Sequence, residues 1–316
     1  MKVKDDLIPF RVNFSKVESI PVEVFLKDRP FGEGVDVLPN GGVIYNPNHN
    51  DGVNSAVEDN PTKSSIDVSI DKMNSDYIDV YAILQRVNTV QPVVGTDGNP
   101  LLYAFKNEKG FKFNSKRDAE LIKRDIRLVL DKFVNQYFNS IDGNVATVVI
   151  PSGNSLNNSF ADWFMKSVEC QGRQMKLYDG VLDKVSTDIV REEVLDDAGS
   201  EFCKWLGSMP EGKAFKIRKK LDMYLKDMDE LHGRTFSYHY VRDPDIRNHM
   251  SLSMKLLKSP SIAAEFGNIN ECNVILLDDS ILRGASMKEA YAILSRHYRP
   301  KSVTGLTLFS PVKRTI

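Results

Sequence analysis

The sequence predicts an α/β protein in which a mostly parallel, twisted sheet is flanked by helices and preceded by a mainly β N-terminal region. Three segments are rich in β-branched and apolar residues, as expected of strands buried on both faces of a parallel sheet: 145–150, 273–278 and 302–309. Helical patterns separate these strands. In such sheets ligands bind beyond the carboxyl ends of the strands, so the residues after Ile150 and Leu277 are the first candidates for a site.

The chain of 316 residues is long enough for one α/β domain and a smaller region. Residues 1–113 are short β-branched runs separated by turn-rich stretches, which predicts a mainly β region. Ser115 and Asp118 then match a helix-capping pattern, and an apolar stripe follows them at helical spacing. We therefore divide the chain into residues 1–113 and an α/β domain at 114–316, with a helical insertion near 188–231.

Composition gives no reason to expect nucleic acid or a membrane as the main partner. Lys and Arg total 42 against 43 Asp and Glu, and the net charge is -1. No apolar stretch approaches the roughly 20 residues that span a bilayer, and the N-terminus lacks the apolar core of a signal peptide. The three cysteines form neither a disulfide framework nor a CxxC metal pair. We therefore expect a soluble, cytoplasmic protein.

Two adjacent carboxylates stand at the end of the second predicted strand. Asp278 and Asp279 follow an apolar run, and a short turn then leads into a helix. Backbone N–H groups at a helix start, with the hydroxyls of Ser280 and Ser286, can surround a phosphate, and Gly284 permits close approach of the chain. The upstream carboxylates can accept hydrogen bonds from the hydroxyls of an attached sugar. An ordinary acidic helix cap with a glycine turn explains only part of this order, so we predict a sugar-phosphate site.

This segment resembles the 5-phosphoribosyl-1-pyrophosphate (PRPP) motif of type I phosphoribosyltransferases, and its spelling is most similar to that of the glutamine PRPP amidotransferases. The resemblance implies the fold of that superfamily for residues 114–316. It also implies transfer of a 5-phosphoribosyl group from PRPP to a nitrogen acceptor, with release of pyrophosphate and with Mg²⁺ bound mainly through PRPP. Asp278 and Asp279 would be catalytic, because they would fix the sugar and stabilise positive charge at the ribose carbon. The 5-phosphate residues would be Ser280, Ile281, Leu282, Arg283, Gly284, Ala285 and Ser286.

Two further segments match the family less specifically. A small polar turn follows the first strand, where the resemblance places a pyrophosphate loop, although an ordinary β-turn has the same composition. A Gly-Arg-Thr-Phe run then begins a segment that in the family closes over PRPP, where cations stabilise the departing pyrophosphate. A solvated loop with scattered cations explains that segment equally well. The residues assigned to these two segments are Ser152, Gly153, Asn154, Arg234, Arg242 and Arg247.

The chain also departs from the amidotransferases. Ser253 stands where that family has an arginine, and the acidic pair 229–230 replaces basic residues before the covering segment. The glutaminase half of the family needs an N-terminal cysteine, whereas the first cysteine here is Cys170, so glutamine hydrolysis is not predicted. The resemblance covers about residues 144–309. The N-terminal region is left as a candidate hood over the acceptor or a partner-binding region, and a homodimer is a candidate assembly.

An alternative function is a PRPP- or nucleotide-binding regulator or effector that has lost catalysis, which the missing arginine favours. Other sites weigh less. The three histidines His232, His239 and His249 lack the i,i+4 spacing of a helical metal site, so we assign no metal ligand to the protein. Ser152 lacks the surroundings of a hydrolase nucleophile, and the basic run at 213–220 is more often a solvated helix face than a nucleic-acid footprint.

The PRPP hypothesis makes one geometric demand. Both carboxylates must be presented to a ligand at the strand tip. Aspartates that are buried in salt bridges, or that face away from any cavity, would contradict it. The acceptor itself cannot be read from the sequence, because a variable hood decides it in this superfamily.

Overall fold

The structure is a computed structural model, and it describes residues 35–38, 40–46, 62–67, 77–88, 100–152, 155–232, 235–250, 254–256, 269–281 and 284–314. The strands in this part of the chain are β1 (Val35–Val37), β2 (Gly42–Tyr45), β3 (Thr62–Asp67), β4 (Tyr77–Asn88), β5 (Lys112–Phe113), β6 (Val145–Val149), β7 (Lys176–Tyr178), β8 (Leu182–Lys184), β9 (Met254–Leu256), β10 (Asn273–Ser280) and β11 (Ser302–Arg314). The helices are α1 (Pro100–Lys106), α2 (Lys116–Ser140), α3 (Leu156–Cys170), α4 (Thr187–Val190), α5 (Glu201–Gly207), α6 (Glu211–His232), α7 (Pro244–His249) and α8 (Ala285–His297).

A six-stranded sheet in the order β3-β4-β11-β10-β6-β7 forms the centre of the molecule. Strands β4, β11, β10, β6 and β7 are mutually parallel, and β3 pairs antiparallel with β4 at the edge. The prediction of an α/β fold with a mostly parallel sheet is therefore confirmed. The three strands predicted from apolar runs are β6, β10 and β11. They lie side by side within the sheet, where strands are covered on both faces and therefore need apolar side chains on both.

Helices cover both faces of this sheet. Alternate residues of β10 point to opposite faces, so Ile275 and Leu277 join the hydrophobic cluster under α1, α2 and α3, while Val274 and Leu276 join the cluster under α8. On the α8 side, a Cβ at Gly305 of β11 would lie 2.5 Å from the Met287 sulfur, which is why a glycine interrupts this strand. Helix α2 begins as predicted, with the backbone N–H of Asp118 donating to the Ser115 hydroxyl at 3.1 Å.

The N-terminal region contributes directly to the sheet. Strand β4 pairs with β11, and β1 and β2 form a small separate sheet with β5. Helix α1 was not anticipated in a region predicted to be mainly β, and its buried residues 101–104 belong to the same hydrophobic cluster as α2 and α3. The division after residue 113 stays a prediction, and the hydrogen bonds between β4 and β11 cross it.

The predicted insertion near 188–231 is helical. It contains α4, a π-helical turn Arg191–Asp196, α5 and α6, and it has its own hydrophobic cluster drawn from residues 185–250. The insertion is divided into separate helices: the π-helical turn ends before Asp197, and Ser200 then caps α5 by accepting from the Cys203 N–H at 3.0 Å. Every helix in the described part of the chain is too short or too polar to cross a membrane.

Candidate functional site

The carboxyl ends of β6 and β10 bring two predicted segments together. Val149 of β6 lies beside Leu277 of β10 in the parallel register. The chain beyond each strand therefore emerges at the same edge of the sheet, and the Ser152 hydroxyl reaches Asp279 Oδ2 at 3.4 Å. Asp278 and Asp279, at the tip of β10, are only 8% and 5% exposed. The acid pair, as we call these two residues, is thus buried at the centre of the sheet edge.

Asp278 is held by neutral hydrogen-bond donors. Its Oδ1 accepts from the Asn157 side-chain amide at 3.2 Å and from the Asp279 backbone N–H at 2.9 Å. The same Asn157 amide donates to the carbonyl oxygen of Ile150 at 2.7 Å, so Asn157 ties the end of β6 to the acid pair. Among the described residues Asp278 forms no salt bridge.

Sequence reasoning missed Asn157. The signal that could have found it is a polar residue on the apolar face of α3, between the buried Leu156 and Phe160. A buried amide needs partners, and the carboxylate at the neighbouring strand tip is one of them. The side-chain Oδ1 of Asn157 has no hydrogen-bond partner among the described residues.

Asp279 is held by a cation. The Lys106 ammonium, at the end of α1, lies 2.9 Å from Asp279 Oδ2, and both side chains are largely buried. The Ser280 hydroxyl donates to the other oxygen, Oδ1, at 2.8 Å. The demand that both carboxylates be free of salt bridges is therefore met by Asp278 and not by Asp279. Lys106 is a second residue of this cluster that the sequence did not indicate.

The electrostatics of the cluster follow from burial. Burial, followed by the neighbouring charge of Asp279, raises the pKa of Asp278 to about 7, while the hydrogen bond from Asn157 and the charge of Lys106 oppose this rise. Burial lowers the pKa of Lys184, on β8, against the opposing pull of both aspartates. Burial also raises the pKa of Glu108, two residues beyond Lys106. Charged groups from three elements therefore share one poorly hydrated space.

The predicted phosphate loop has the expected strand–turn–helix form in its described residues. Strand β10 ends at Ser280, and the N–H of the buried Ile281 donates to the Phe309 carbonyl at 3.1 Å. Gly284 adopts a left-handed conformation with φ 76°, which side chains disfavour, and it caps α8. Ala285 and Ser286 form the first turn of that helix. Leu282 and Arg283 lie outside the described residues.

The covering segment is described only in part. Arg242 is exposed, and Arg247 donates to the carbonyl oxygens of Val241 and Arg242, so it braces the segment itself. Tyr240 lies near enough to Glu108 for that charge to add to the burial that raises the Tyr240 pKa. His249 stacks on Trp205 with ring centroids 4.1 Å apart, as a packing residue would. The predicted residues Gly153, Asn154 and Arg234, and also Ser253, lie outside the described residues.

A separate cavity of about 750 Å³ opens at the opposite, amino end of the sheet. It is lined by the starts of β6 and β7 and by Cys272, just before β10. Arg173 and Glu169 contribute charge, but the cavity does not contain the acid pair.

Comparison of the chain with protein-family models and with curated proteins gave no match. The choice among functions therefore depends on the residues and the geometry described above.

Proposed function

We propose that the chain binds PRPP at the carboxyl edge of its sheet and transfers the 5-phosphoribosyl group to a nitrogen acceptor, releasing pyrophosphate. The observation that carries this proposal is Asp278, a buried carboxylate at the central strand tip that has hydrogen-bond donors but, among the described residues, no salt bridge. The left-handed Gly284 and the start of α8 follow within a few residues. A carboxylate suits the hydroxyls of a sugar, and a helix start suits a phosphate attached to the same sugar.

Each part of PRPP has a matching group in the chain. Asp278 would accept hydrogen bonds from the ribose hydroxyls and, with Asp279, stabilise positive charge at the ribose carbon as the bond to pyrophosphate breaks. The N–H groups at the start of α8 and the hydroxyls of Ser280 and Ser286 would receive the 5-phosphate. The loop after β6, with Ser152, would receive the pyrophosphate. A type I phosphoribosyltransferase fold for this α/β sheet is part of the same proposal.

Mg²⁺ fits this site only as part of the ligand. Its role would be to neutralise the pyrophosphate as it leaves. No group of three or more His, Cys, Asp or Glu side chains able to hold a metal ion occurs among the described residues. The PRPP oxygens are therefore the ligands that we assign to the ion. The protein's own contribution is to orient the sugar and to exclude water from the reacting carbon.

The second candidate is a PRPP- or nucleotide-binding regulator without catalysis. The buried ion pair between Lys106 and Asp279 favours it, because one of the two carboxylates is already occupied by a cation. The serine at position 253, where the family has an arginine, favours it as well. This alternative shares the ligand with the first proposal and differs only in turnover.

Calorimetric titration with Mg·PRPP, followed by measurement of pyrophosphate release with a panel of nucleobases and amines, tests both candidates. We expect saturable PRPP binding and acceptor-dependent pyrophosphate release. Binding without release on any acceptor supports the regulator. If Mg·PRPP does not bind at millimolar concentration, the transferase and a PRPP-binding regulator are both wrong, and only a regulator that binds nucleotides is left.

A further inference from the structure

The ion pair between Lys106 and Asp279 joins the N-terminal region to the acid pair. Lys106 is the last residue of α1, and the turn after it is tightly built. Asn107 and Lys109 in that turn have φ of 52° and 50°, a left-handed conformation that side chains rarely adopt. The Glu108 N–H donates to the Tyr103 carbonyl at 2.9 Å and ties the turn back to the helix. The backbone from which the Lys106 side chain extends is therefore held in place on both sides of that residue.

The ion pair has an electrostatic cause. Two adjacent carboxylates away from water repel each other, and burial disfavours the ionised form of each. Ser152 and Ser280 donate hydrogen bonds to Asp279 but bring no charge. The only salt bridge that the described residues make to the acid pair is that of Lys106, at 2.9 Å. Lys106 therefore compensates one carboxylate and leaves the other without a direct cation.

We propose that Lys106 is a positioning residue of the PRPP site: its ion pair holds Asp279 in place, so that Asp278 is the carboxyl group that receives the ribose hydroxyls. This inference rests on the proposed function, and it goes beyond it by making the N-terminal region part of the site.

The proton count of the acid pair is where this role can be measured. Among the described residues, the charged groups that face the pair are Lys106 and Glu108 from α1 and its turn, and Lys184 from β8. Of these three, Lys106 forms a salt bridge with a carboxylate oxygen of the pair. An opposite charge within about 4–6 Å shifts a carboxyl pKa by about one to three units. Removing the charge of Lys106 should therefore raise the pKa of Asp278 by a similar amount.

The first experiment uses ligand-free protein with ¹³C-labelled aspartate and follows the carboxyl resonances against pH. The variants are Lys106→Met, Lys106→Arg and the control Lys112→Met, which removes one positive charge from the exposed end of β5. Asp278→Asn assigns the resonance. We expect the Asp278 titration to move up by about one pH unit or more in Lys106→Met, and to stay near the wild-type value in Lys106→Arg and Lys112→Met. A merely structural lysine would lower the melting temperature without moving this titration.

The second experiment measures Mg·PRPP affinity for the same variants between pH 6 and pH 9. Titration of PRPP itself is common to all variants, so it cancels in the comparison. We expect PRPP affinity to rise with pH in both proteins, because an ionised Asp278 is the better acceptor. In Lys106→Met the pH range of this rise should lie at least about one unit higher than in the wild type. Tighter PRPP binding by Lys106→Met at neutral pH would overturn the inference, since it would mean that Lys106 obstructs the site.

The two experiments fail separately. If the wild-type protein binds no PRPP, the proposed function is wrong, while the carboxyl titration still decides whether Lys106 controls the acid pair. If PRPP binds but Lys106→Met changes neither the carboxyl titration nor the pH dependence of affinity, the inference is wrong and the proposed function stands. Should Lys106→Met not fold, Lys106→Gln takes its place, and an Asp278 titration that stays at the wild-type value in Lys106→Gln would contradict the inference.

Discussion

The two ends of the central sheet differ in how they bury polar groups. At the amino end the Asn273 amide donates to the Asp142 carbonyl at 2.9 Å, and its oxygen accepts from the Ser302 hydroxyl at 2.6 Å. These partners are neutral and mutually satisfied. At the carboxyl end two aspartates share a buried space with Lys106 and with further ionisable groups. The buried amide at the amino end therefore has neutral partners in Asp142 and Ser302, whereas the carboxyl end buries charged groups.

Burying charge is costly, whereas burying a satisfied neutral pair is not. The amino end therefore contributes to stability in the ordinary way. The carboxyl end costs stability, and a carboxyl group whose pKa is raised by burial, here to about 7, is a common feature of ligand sites. Under the proposed function, the amino end of the sheet stabilises the fold and the carboxyl end binds the ligand.

The largest effect is expected from removing both charges of the acid pair. Asp278→Asn combined with Asp279→Asn removes the charge of Asp278, the acceptor for the ribose hydroxyls, together with the neighbouring charge of Asp279, and each charge-assisted hydrogen bond contributes about 1.5–3 kcal/mol. We expect PRPP affinity to fall more than about 100-fold, below detection by titration calorimetry. Circular dichroism should show the fold unchanged.

The matched control for that variant lies at the other end of the sheet. Asp142→Asn makes the same chemical change at an exposed residue whose carbonyl oxygen, not its carboxylate, is used by Asn273. PRPP affinity should be unchanged by it. Equal losses of affinity in the two proteins would contradict the division between the two ends.

The next effect concerns the pH dependence of stability. Because the folded pKa of Asp278, about 7, lies above its ordinary value of 3.8, the folded state holds a proton that the unfolded state has lost between these pH values. The contribution of Asp278 to stability is therefore complete below about pH 4 and is lost as the pH rises through 7. Asp278→Asn keeps the oxygen that accepts from Asn157 but cannot ionise. The variant should therefore not lose this contribution to stability as the pH rises.

Urea unfolding of wild type and Asp278→Asn at pH 4, 6 and 8 measures this difference, since the other carboxyl groups are common to both. We expect the variant to be more stable than the wild type by about 2–4 kcal/mol at pH 8, and equal to it within error at pH 4. A variant that is less stable than the wild type at pH 8 would mean that Asp278 is a structural residue.

The sequence predicts those parts of the molecule that depend on residues close together in the chain. The apolar runs of β6, β10 and β11 are visible because a parallel strand buried on both faces needs several apolar residues in succession. The helix cap at Ser115 is visible because it spans one turn. The order of residues after Leu277 likewise predicts the strand, the turn and the helix that the structure contains.

The parts that the sequence did not predict depend on contacts between distant segments. One lysine among the 42 basic residues of the chain meets Asp279, and nothing near Lys106 in the sequence distinguishes it. Helix α1 was not anticipated because a short helix is stabilised by packing more than by its own propensity. Strand β4 joins the other parallel strands through β11, at the far end of the sequence. Such contacts depend on the whole fold, and no short sequence pattern predicts them.

A smaller effect is expected at the amino end. Asn273→Ala removes two hydrogen bonds of a buried amide, whose partner residues Asp142 and Ser302 are themselves exposed, at a cost of about 0.5–1.5 kcal/mol each. Urea unfolding should show this loss, and calorimetry should show unchanged PRPP affinity. A loss of affinity without a loss of stability would reverse the roles that we assign to the two ends.

The smallest effect is expected from Asn157→Ala. Asn157 donates to Asp278 at 3.2 Å and to the Ile150 carbonyl at 2.7 Å, so the substitution frees the carboxylate to rotate and removes a bond that favours its ionised form. PRPP affinity at pH 7 should fall by about tenfold, which corresponds to about 1.4 kcal/mol. The loss should become smaller at pH 9, where Asp278 is ionised in both proteins. Because a loss of fold would lower affinity equally at every pH, a pH-independent decrease would show that Asn157 supports the strand end and not the carboxylate.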